Sequence, residues 1–287
     1  MFLESIYKMI CNNSKDKLIA FVTSNADNYV TCEEFERFTD WFKKEEKISI
    51  KDSVNIHGMG GSRLPKPSIT SIASLYVSSI SYKTIVKTGS SKNTSLLGST
   101  DYFRALGLLT PVNRRQYFEK YGFAYYDYLE LSPWKRYKEI LCLNRSINEI
   151  LHDYHFFEYK IGVLGLGISS KELYAHFLKK VHYPKPVRHF IFYSKVEGRI
   201  LDEILPPDNN QIILPTLSID DILRINYNLT FGLEDDTLWL GSLRESVAFF
   251  LYQLGETDSV AEGRELFNRA YRDRVVKRNI DMLGVLP

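Results

Sequence analysis

The chain has 287 residues, of which 44% are hydrophobic and 25% are charged, and its formal net charge is +2 at pH 7. This length allows a large core in one or two domains, and the near-neutral charge gives no general case for binding nucleic acid or an anionic membrane. The cysteines Cys11, Cys32 and Cys142 are few and widely spaced, so they favour neither a disulfide framework nor a CxxC metal site. We recognise no signal sequence and no apolar run of membrane length, and therefore expect a cytoplasmic protein.

The N-terminal part is predicted to be helical. Phe2, Ile6 and Ile10 recur at helical spacing, and Thr31 with Glu34 forms a capping box. A second helix-rich block covers about 110–155. These two segments predict a small helical domain, residues 1–50 with about 110–155, beside a larger domain, residues 51–109 with about 156–287.

The larger part alternates strand and helix patterns. Strands are predicted at 52–56, 84–86, 160–166, 187–193 and 211–214, with another at 123–128 inside the helix-rich block. Helices are predicted at 69–81, 114–121, 133–143, 146–153, 170–181, 237–254 and 260–277. Alternating strands and helices favour an α/β fold with a mainly parallel central sheet flanked by helices, plus the small all-helical domain.

The segment 83–107 carries the strongest local signal for a site. A β-branched run ends at Lys87, Gly89 follows, and a hydroxyl-rich stretch that includes Thr94, Ser95 and Ser99 then opens a helix. A small-residue loop between a strand and a helix N-terminus suits an anion, because backbone N–H groups and the helix dipole face it. Lys87 would add a mobile positive charge for phosphate. An ordinary polar loop would show the same spacing.

Two further small-residue loops and an acidic pair follow strand-like segments. The loops are 58–62, with Gly58, Gly60, Gly61 and Ser62, and 68–71, with Ser68, Thr70 and Ser71. The pair is Asp202 and Glu203, in a loop predicted beyond the strand 187–193. Loops at the carboxyl edge of a parallel sheet share one ligand region, and a carboxylate pair can hold Mg²⁺ that bridges to phosphate. Taken alone, the acidic pair is also typical of an ordinary solvated loop.

In this order the segments resemble the anthranilate phosphoribosyltransferase family of nucleoside-phosphorylase-like enzymes. The family's GTGGD loop is similar to 58–62 and its NIST segment to 68–71. Its KHGN…SS…GSAD…LG block is similar to the stretch from Lys87 to Gly107, and its metal-binding Asp-Glu pair to Asp202 and Glu203. The resemblance spans about Ser14 to Tyr271.

The resemblance implies a homodimer formed through the helical domain. It also implies phosphoribosyl pyrophosphate (PRPP) bound with Mg²⁺, and transfer of phosphoribose to an acceptor nitrogen. The implied PRPP-binding residues are Gly58, Gly60, Gly61, Ser62, Ser68, Thr70, Ser71, Lys87, Gly89, Thr94, Ser95 and Ser99. The implied Mg²⁺ ligands are Thr70, Asp202 and Glu203, and the implied acceptor-side residues are Thr88, Ser90, Glu139 and Arg145.

Several positions depart from the family pattern. Ser62 replaces the aspartate of the glycine loop, and Thr88 and Ser90 replace the histidine and asparagine that meet the acceptor. Glu139 lies where an arginine would grip the anthranilate carboxylate, and should repel it; Arg145 matches a later arginine. The donor half of the site is therefore predicted to be kept and the acceptor half rebuilt.

These departures favour a Mg²⁺-dependent phosphoribosyltransferase with an acceptor other than anthranilate. The alternatives are a genuine anthranilate phosphoribosyltransferase of tryptophan biosynthesis and a non-catalytic binding or regulatory homologue. A nucleoside phosphorylase is a further alternative, which the acidic metal pair argues against.

Overall fold

A computed structural model gives the fold of the chain. It describes residues 2–26, 28, 30, 34, 53–58, 66–91, 96–127, 137–141, 143, 144, 147, 159–165, 187–193, 197–200, 217–233 and 237–284. Among these residues, no helix is both long and apolar enough to cross a bilayer.

The described strands form one sheet of six strands in the order β3-β2-β1-β4-β5-β6. They are β1 (Ser53–Gly58), β2 (Thr84–Gly89), β3 (Phe123–Asp127), β4 (Tyr159–Gly165), β5 (Val187–Tyr193) and β6 (Glu197–Ile200). The first five strands are parallel, and β6 pairs antiparallel with β5. The predicted α/β fold with a mainly parallel sheet is confirmed.

Ten helices are described, and those at 69–80, 99–105, 111–121 and 237–253 contact the sheet. The ten helices are α1 (Phe2–Cys11), α2 (Lys15–Ser24), α3 (Ile69–Ile80), α4 (Ser99–Ala105), α5 (Pro111–Tyr121), α6 (Lys138–Leu141), α7 (Ile219–Phe231), α8 (Thr237–Gln253), α9 (Val260–Arg272) and α10 (Val275–Asp281). Local chemistry sets their ends: Thr110 accepts a hydrogen bond from the Asn113 amide at the start of α5, and Gly122, at φ 62°, ends it in the left-handed region.

The core lies between the sheet and α3. This helix contacts β1 and β2 and packs in turn against α8, which contacts β4, β5 and β6. Ile72, Leu75 and Tyr76 of α3 are fully buried, and the Tyr76 ring packs edge-on against Phe267 of α9 at 5.2 Å between centroids. The apolar residues of α3 are thus shared between the sheet and the C-terminal helices.

Two helical segments differ from the sequence prediction. The sequence did not predict α7, whose N-terminus is fixed by a capping box between Ser218 and Asp221. The helix predicted at 260–277 is two helices, because Arg274 adopts a φ of 51° between them. The predicted strand at 211–214 and the helices at 146–153 and 170–181 lie essentially outside the described residues.

The segment 111–127 packs with the sheet, although the prediction placed about 110–155 in the small helical domain. β3 is the edge strand beside β2, with Ile85 opposite Phe123, and Tyr117 of α5 is buried against Phe123. Farther along the chain, the Asn144 side chain donates to the carbonyls of Asn25 and Asn28, at 2.8 and 3.0 Å. This contact joins the N-terminal helices to the segment 137–147, while the two-domain division and its dimerisation stay predictions.

Candidate functional site

The carboxyl ends of β1, β2 and β3 meet at one edge of the sheet. β1 ends at Gly58, and β2 ends at Gly89, which lies opposite Asp127, the last residue of β3. The chain leaves β2 here and returns in α4. Two of the three predicted small-residue loops therefore begin at this edge, where parallel α/β sheets bind their ligands.

Lys87 belongs to β2 and is almost fully buried, whereas the sequence predicted a mobile positive charge at the end of the strand. It is paired in the sheet with Ile56 of β1 and Tyr125 of β3, which extends the strand beyond the predicted end. Its ammonium donates a hydrogen bond to the Thr88 carbonyl. Burial lowers the pKa of Lys87 to about 7, because the charged form is poorly solvated there.

Hydroxyl groups from α3 and α4 meet beside the end of β2. Ser71 of α3 donates to the Ser99 hydroxyl at 2.9 Å. A Cβ placed on Gly89 would lie 2.6 Å from Cβ of Ser99 and 3.2 Å from the Tyr125 hydroxyl oxygen. Only a glycine at this position lets β2 approach Ser99 so closely.

Ser68 and Thr70, the other two site residues predicted in the loop 68–71, lie at the start of α3. Ser68 is its N-terminal boundary residue, and its amide donates to the Asn226 side chain of α7 at 2.7 Å. Thr70 lies in the first turn and is half-buried. Ser68, Thr70, Ser71, Lys87, Gly89 and Ser99 are therefore grouped around the N-terminus of α3 and the end of β2.

The loop that follows β2 is closed at its base. The Thr100 amide donates to the Ser90 carbonyl at 3.1 Å, and a Cβ on Gly98 would lie 2.3 Å from that same carbonyl oxygen. The Gly98 amide donates to the Asp101 carboxylate at 3.0 Å. We call the residues that close this base, Ser90, Ser91, Gly98 and Thr100, the loop neck.

Thr88 lies on the opposite face of β2 from Lys87, since neighbouring strand residues alternate. It is fully buried and donates to the Asn55 side-chain oxygen of β1 at 3.0 Å. The Asn55 amide nitrogen, also buried, has no hydrogen-bond partner among the described residues. The predicted acceptor-side role of Thr88 stays a prediction, and Asn55 is a neighbour that sequence patterns did not select.

Sequence reasoning also missed a polar chain beneath the loop neck. The Thr100 hydroxyl lies 2.6 Å from the Tyr125 hydroxyl and donates to the Asp127 carboxylate at 2.7 Å. All three side chains are buried. The alternation of residues in β3 could have indicated it. Phe123, Tyr125 and Asp127 lie on the same buried face of the strand, so an acid occupies a position where the pattern predicts an apolar residue.

Other predicted site residues lie outside the described residues. They are Gly60, Gly61, Ser62, Thr94, Ser95, Arg145, Asp202 and Glu203. Glu139 lies in α6, and only its backbone is described.

The segment before the acidic pair differs from the prediction. The loop predicted beyond the strand 187–193 contains a further strand: Arg199 and Ile200 form part of β6, which pairs with β5 from Tyr193 back to Phe190. Three residues of strand span about 10 Å. β6 thus leads away from the carboxyl edge of the parallel strands.

A buried amine, clustered hydroxyls and a glycine at a strand end can together receive an anion. The amine supplies charge in a poorly solvated setting, the hydroxyls supply short polar contacts, and the missing Cβ of Gly89 lets Ser99 pack against the end of the strand. Phosphate groups are the class of ligand that fits these donors best.

No protein-family model matches the chain, and no curated protein matches it in sequence. Solved structures do match. Anthranilate phosphoribosyltransferase from Thermus thermophilus has a TM-score of 0.61 at 15% identity, with 98% of this chain and 93% of that chain covered.

Two structures of the Saccharomyces cerevisiae enzyme are similar as well. The complex with PRPP and Mg has a TM-score of 0.57 at 14% identity, covering 95% of this chain and 86% of that chain. The complex with 4-fluoroanthranilate has a TM-score of 0.55 at 14% identity, with the same coverage of 95% and 86%. The chain described here therefore has the fold of the anthranilate phosphoribosyltransferases.

Proposed function

We propose that the protein is a Mg²⁺-dependent phosphoribosyltransferase. It would move phosphoribose from PRPP to a nitrogen acceptor other than anthranilate and release diphosphate. The observation that carries this proposal is the buried Lys87 at the end of β2, beside the hydroxyls of Ser71 and Ser99, in a chain with this fold.

The donor side has the strongest support. A buried ammonium without a carboxylate among its described contacts is costly, and a bound phosphate would offset that cost by supplying the opposite charge. The closed loop neck would hold backbone amides and the Ser99 hydroxyl in fixed positions around the same anion.

The residues proposed for Mg²⁺ are Thr70, Asp202 and Glu203. All three offer oxygen atoms, which are the ligands this ion prefers, and Thr70 lies half-buried at the start of α3. A bound Mg²⁺ would neutralise charge on the diphosphate that leaves.

The chain's own residues would act by binding and positioning. Lys87 and the hydroxyls of Ser71 and Ser99 would hold phosphate oxygens, and the fixed donor would present its anomeric carbon to the incoming amine. The acceptor nitrogen is already nucleophilic, so we assign no protein base to the reaction.

The acceptor is proposed to differ from anthranilate. Glu139 stands where the family has a carboxylate-binding arginine, so a carboxylate on the acceptor would meet a like charge. Thr88 and Ser90 replace a histidine and an asparagine of the family, which changes the hydrogen-bond donors and acceptors available to the acceptor substrate. A neutral or cationic amine suits these residues better.

Calorimetry with PRPP, with and without Mg²⁺, tests the donor half. We expect binding that requires Mg²⁺, and we expect Lys87→Met to weaken it while Lys83→Met, at an exposed lysine of the same segment, leaves it unchanged. Failure of the unmodified protein to bind PRPP at millimolar concentration would contradict the proposal.

Release of diphosphate in the presence of a panel of amines tests the acceptor half. Loss of anthranilate fluorescence would show instead that the protein is an ordinary anthranilate phosphoribosyltransferase. PRPP binding without turnover of any amine would favour the non-catalytic homologue.

A further inference from the structure

The polar chain of Tyr125, Thr100 and Asp127 has a fixed direction. Thr100 has one hydroxyl hydrogen and donates it to the Asp127 carboxylate at 2.7 Å. It must therefore accept from the Tyr125 hydroxyl, 2.6 Å away. Burial is the main cause that raises the pKa of Tyr125 well above its ordinary value, and the negative charge of Asp127 is the second. The Tyr125 hydroxyl therefore stays protonated and can donate.

Thr100 joins this chain to the loop neck. Its side chain holds Tyr125 and Asp127, while its backbone amide donates to the Ser90 carbonyl at 3.1 Å. The Tyr125 hydroxyl also borders Gly89, lying 3.2 Å from where a Cβ would be. One residue thus connects the end of β2, the end of β3 and both sides of the loop neck.

The start of α4 depends on contacts with the rest of the fold. The helix has 7 residues, and its boundary residue Gly98 offers no side chain for a cap. A helix this short is marginal on its own, because the cost of nucleation is spread over few hydrogen bonds. Beside the local bond from the Gly98 amide to Asp101, tertiary contacts therefore fix its position, and the buried hydrogen bonds of Thr100 attach it to β3.

We infer that Thr100 and Asp127 are positioning residues that fix the loop neck, and with it Ser99 and Gly89, in the geometry that binds the donor phosphates. This inference rests on the proposed function for the identity of the ligand. The two residues act through the backbone of the loop neck, because the Thr100 hydroxyl is already occupied: it donates to Asp127 and accepts from Tyr125.

The test compares Thr100→Val, which keeps the shape and removes the hydroxyl, with Thr100→Ser, which restores it. Tyr102→Phe is the matched control: it removes a buried Tyr–Thr hydrogen bond of 2.7 Å from the same helix, directed to Thr230 instead of the loop neck. Asp127→Asn is the second variant, because it keeps one acceptor oxygen for Thr100 while it removes the charge and replaces the other oxygen by an NH2 donor.

Amide hydrogen exchange at residue 100 measures how stably the loop neck is closed when no ligand is present. We expect Thr100→Val to speed this exchange about tenfold or more, consistent with loss of a buried hydrogen-bonded group. Exchange of the Gly122 amide, which donates to Phe118 at the end of α5, should not change. Thr100→Ser and Tyr102→Phe should leave residue 100 as protected as in the unmodified protein.

PRPP affinity measures how the loop neck affects binding of the donor. Thr100→Val should weaken PRPP binding by about tenfold, Asp127→Asn should weaken it less, and Thr100→Ser should recover it. Equal exchange at residue 100 in the Val and Ser variants would overturn the inference. So would equal loss of affinity in Thr100→Val and Tyr102→Phe, since that would reflect general destabilisation.

The two proposals fail in different ways. If the unmodified protein does not bind PRPP, the proposed function fails, while the exchange result still decides whether Thr100 fixes the loop neck. If PRPP binds but the exchange at residue 100 does not respond to Thr100→Val, the positioning role fails and the proposed function stands.

Discussion

Replacing Lys87 by methionine should stabilise the protein and remove its donor affinity. Methionine matches the length of the lysine stem and brings no charge into the core. The pKa of Lys87 falls from the ordinary 10.5 to about 7 in the folded state, and each pH unit of that fall is worth about 1.36 kcal/mol. The ammonium therefore costs folding on the order of 4 to 5 kcal/mol where it is charged in both states.

The sign of the pH dependence follows from proton uptake. Between about pH 7 and 10.5 the unfolded chain holds a proton on Lys87 that the folded chain has released, so the free energy of unfolding rises with pH. Below about pH 7 both states are charged and the cost is at its maximum. The advantage of Lys87→Met should thus shrink by roughly 2 to 3 kcal/mol from about pH 6.5 to about pH 9.

Urea unfolding at these two pH values measures the difference. Lys83→Met is the matched control, because Lys83 is exposed one residue before the same strand and its replacement should change little. A stability difference between the Lys87→Met variant and the unmodified protein that does not depend on pH would refute the reasoning, since the ammonium would then not be desolvated. Unchanged PRPP affinity in Lys87→Met would remove Lys87 from the proposed donor site.

Further substitutions test close packing and the ion pair of a half-exposed arginine with a buried carboxylate. Gly89→Ala should cost about 1–3 kcal/mol and weaken PRPP binding, because the new methyl would lie 2.6 Å from Ser99; calorimetry and urea unfolding measure the two effects. Gly263→Ala should lower the melting temperature despite a helix-propensity gain of about 1 kcal/mol, since its Cβ would meet the backbone of α8 at 2.7 Å. Arg264→Ala should cost about 1–3 kcal/mol by leaving the buried Glu245 without its two-pronged partner at 2.8 Å, and Arg264→Lys should recover only part of that in urea unfolding.

The sequence predicted those strands of the sheet that are rich in apolar residues and bounded by turns. The strands at 84–89, 123–127 and 187–193 were recognised from β-branched and aromatic runs. It failed at α7, where scattered polar residues weaken the helical pattern, and at β6, whose four residues carry too little periodicity to be recognised.

The sequence by itself determined which chemical groups are available at the candidate site. The small-residue loops, Lys87 and the hydroxyls of Ser71 and Ser99 are all visible in the order of residues. Their spacing along the chain, together with the rule that parallel strands share a carboxyl edge, predicted that they would meet.

Only the tertiary structure decided what environment these groups have. Lys87 looks like a mobile surface charge in the sequence, yet pairing with Ile56 and Tyr125 places it inside the core and lowers its pKa. Thr100 and Asp127 are 27 residues apart and become one hydrogen-bonded unit only because β3 lies beside β2. Burial and contact are properties of the packed chain, and no local pattern of residues contains them.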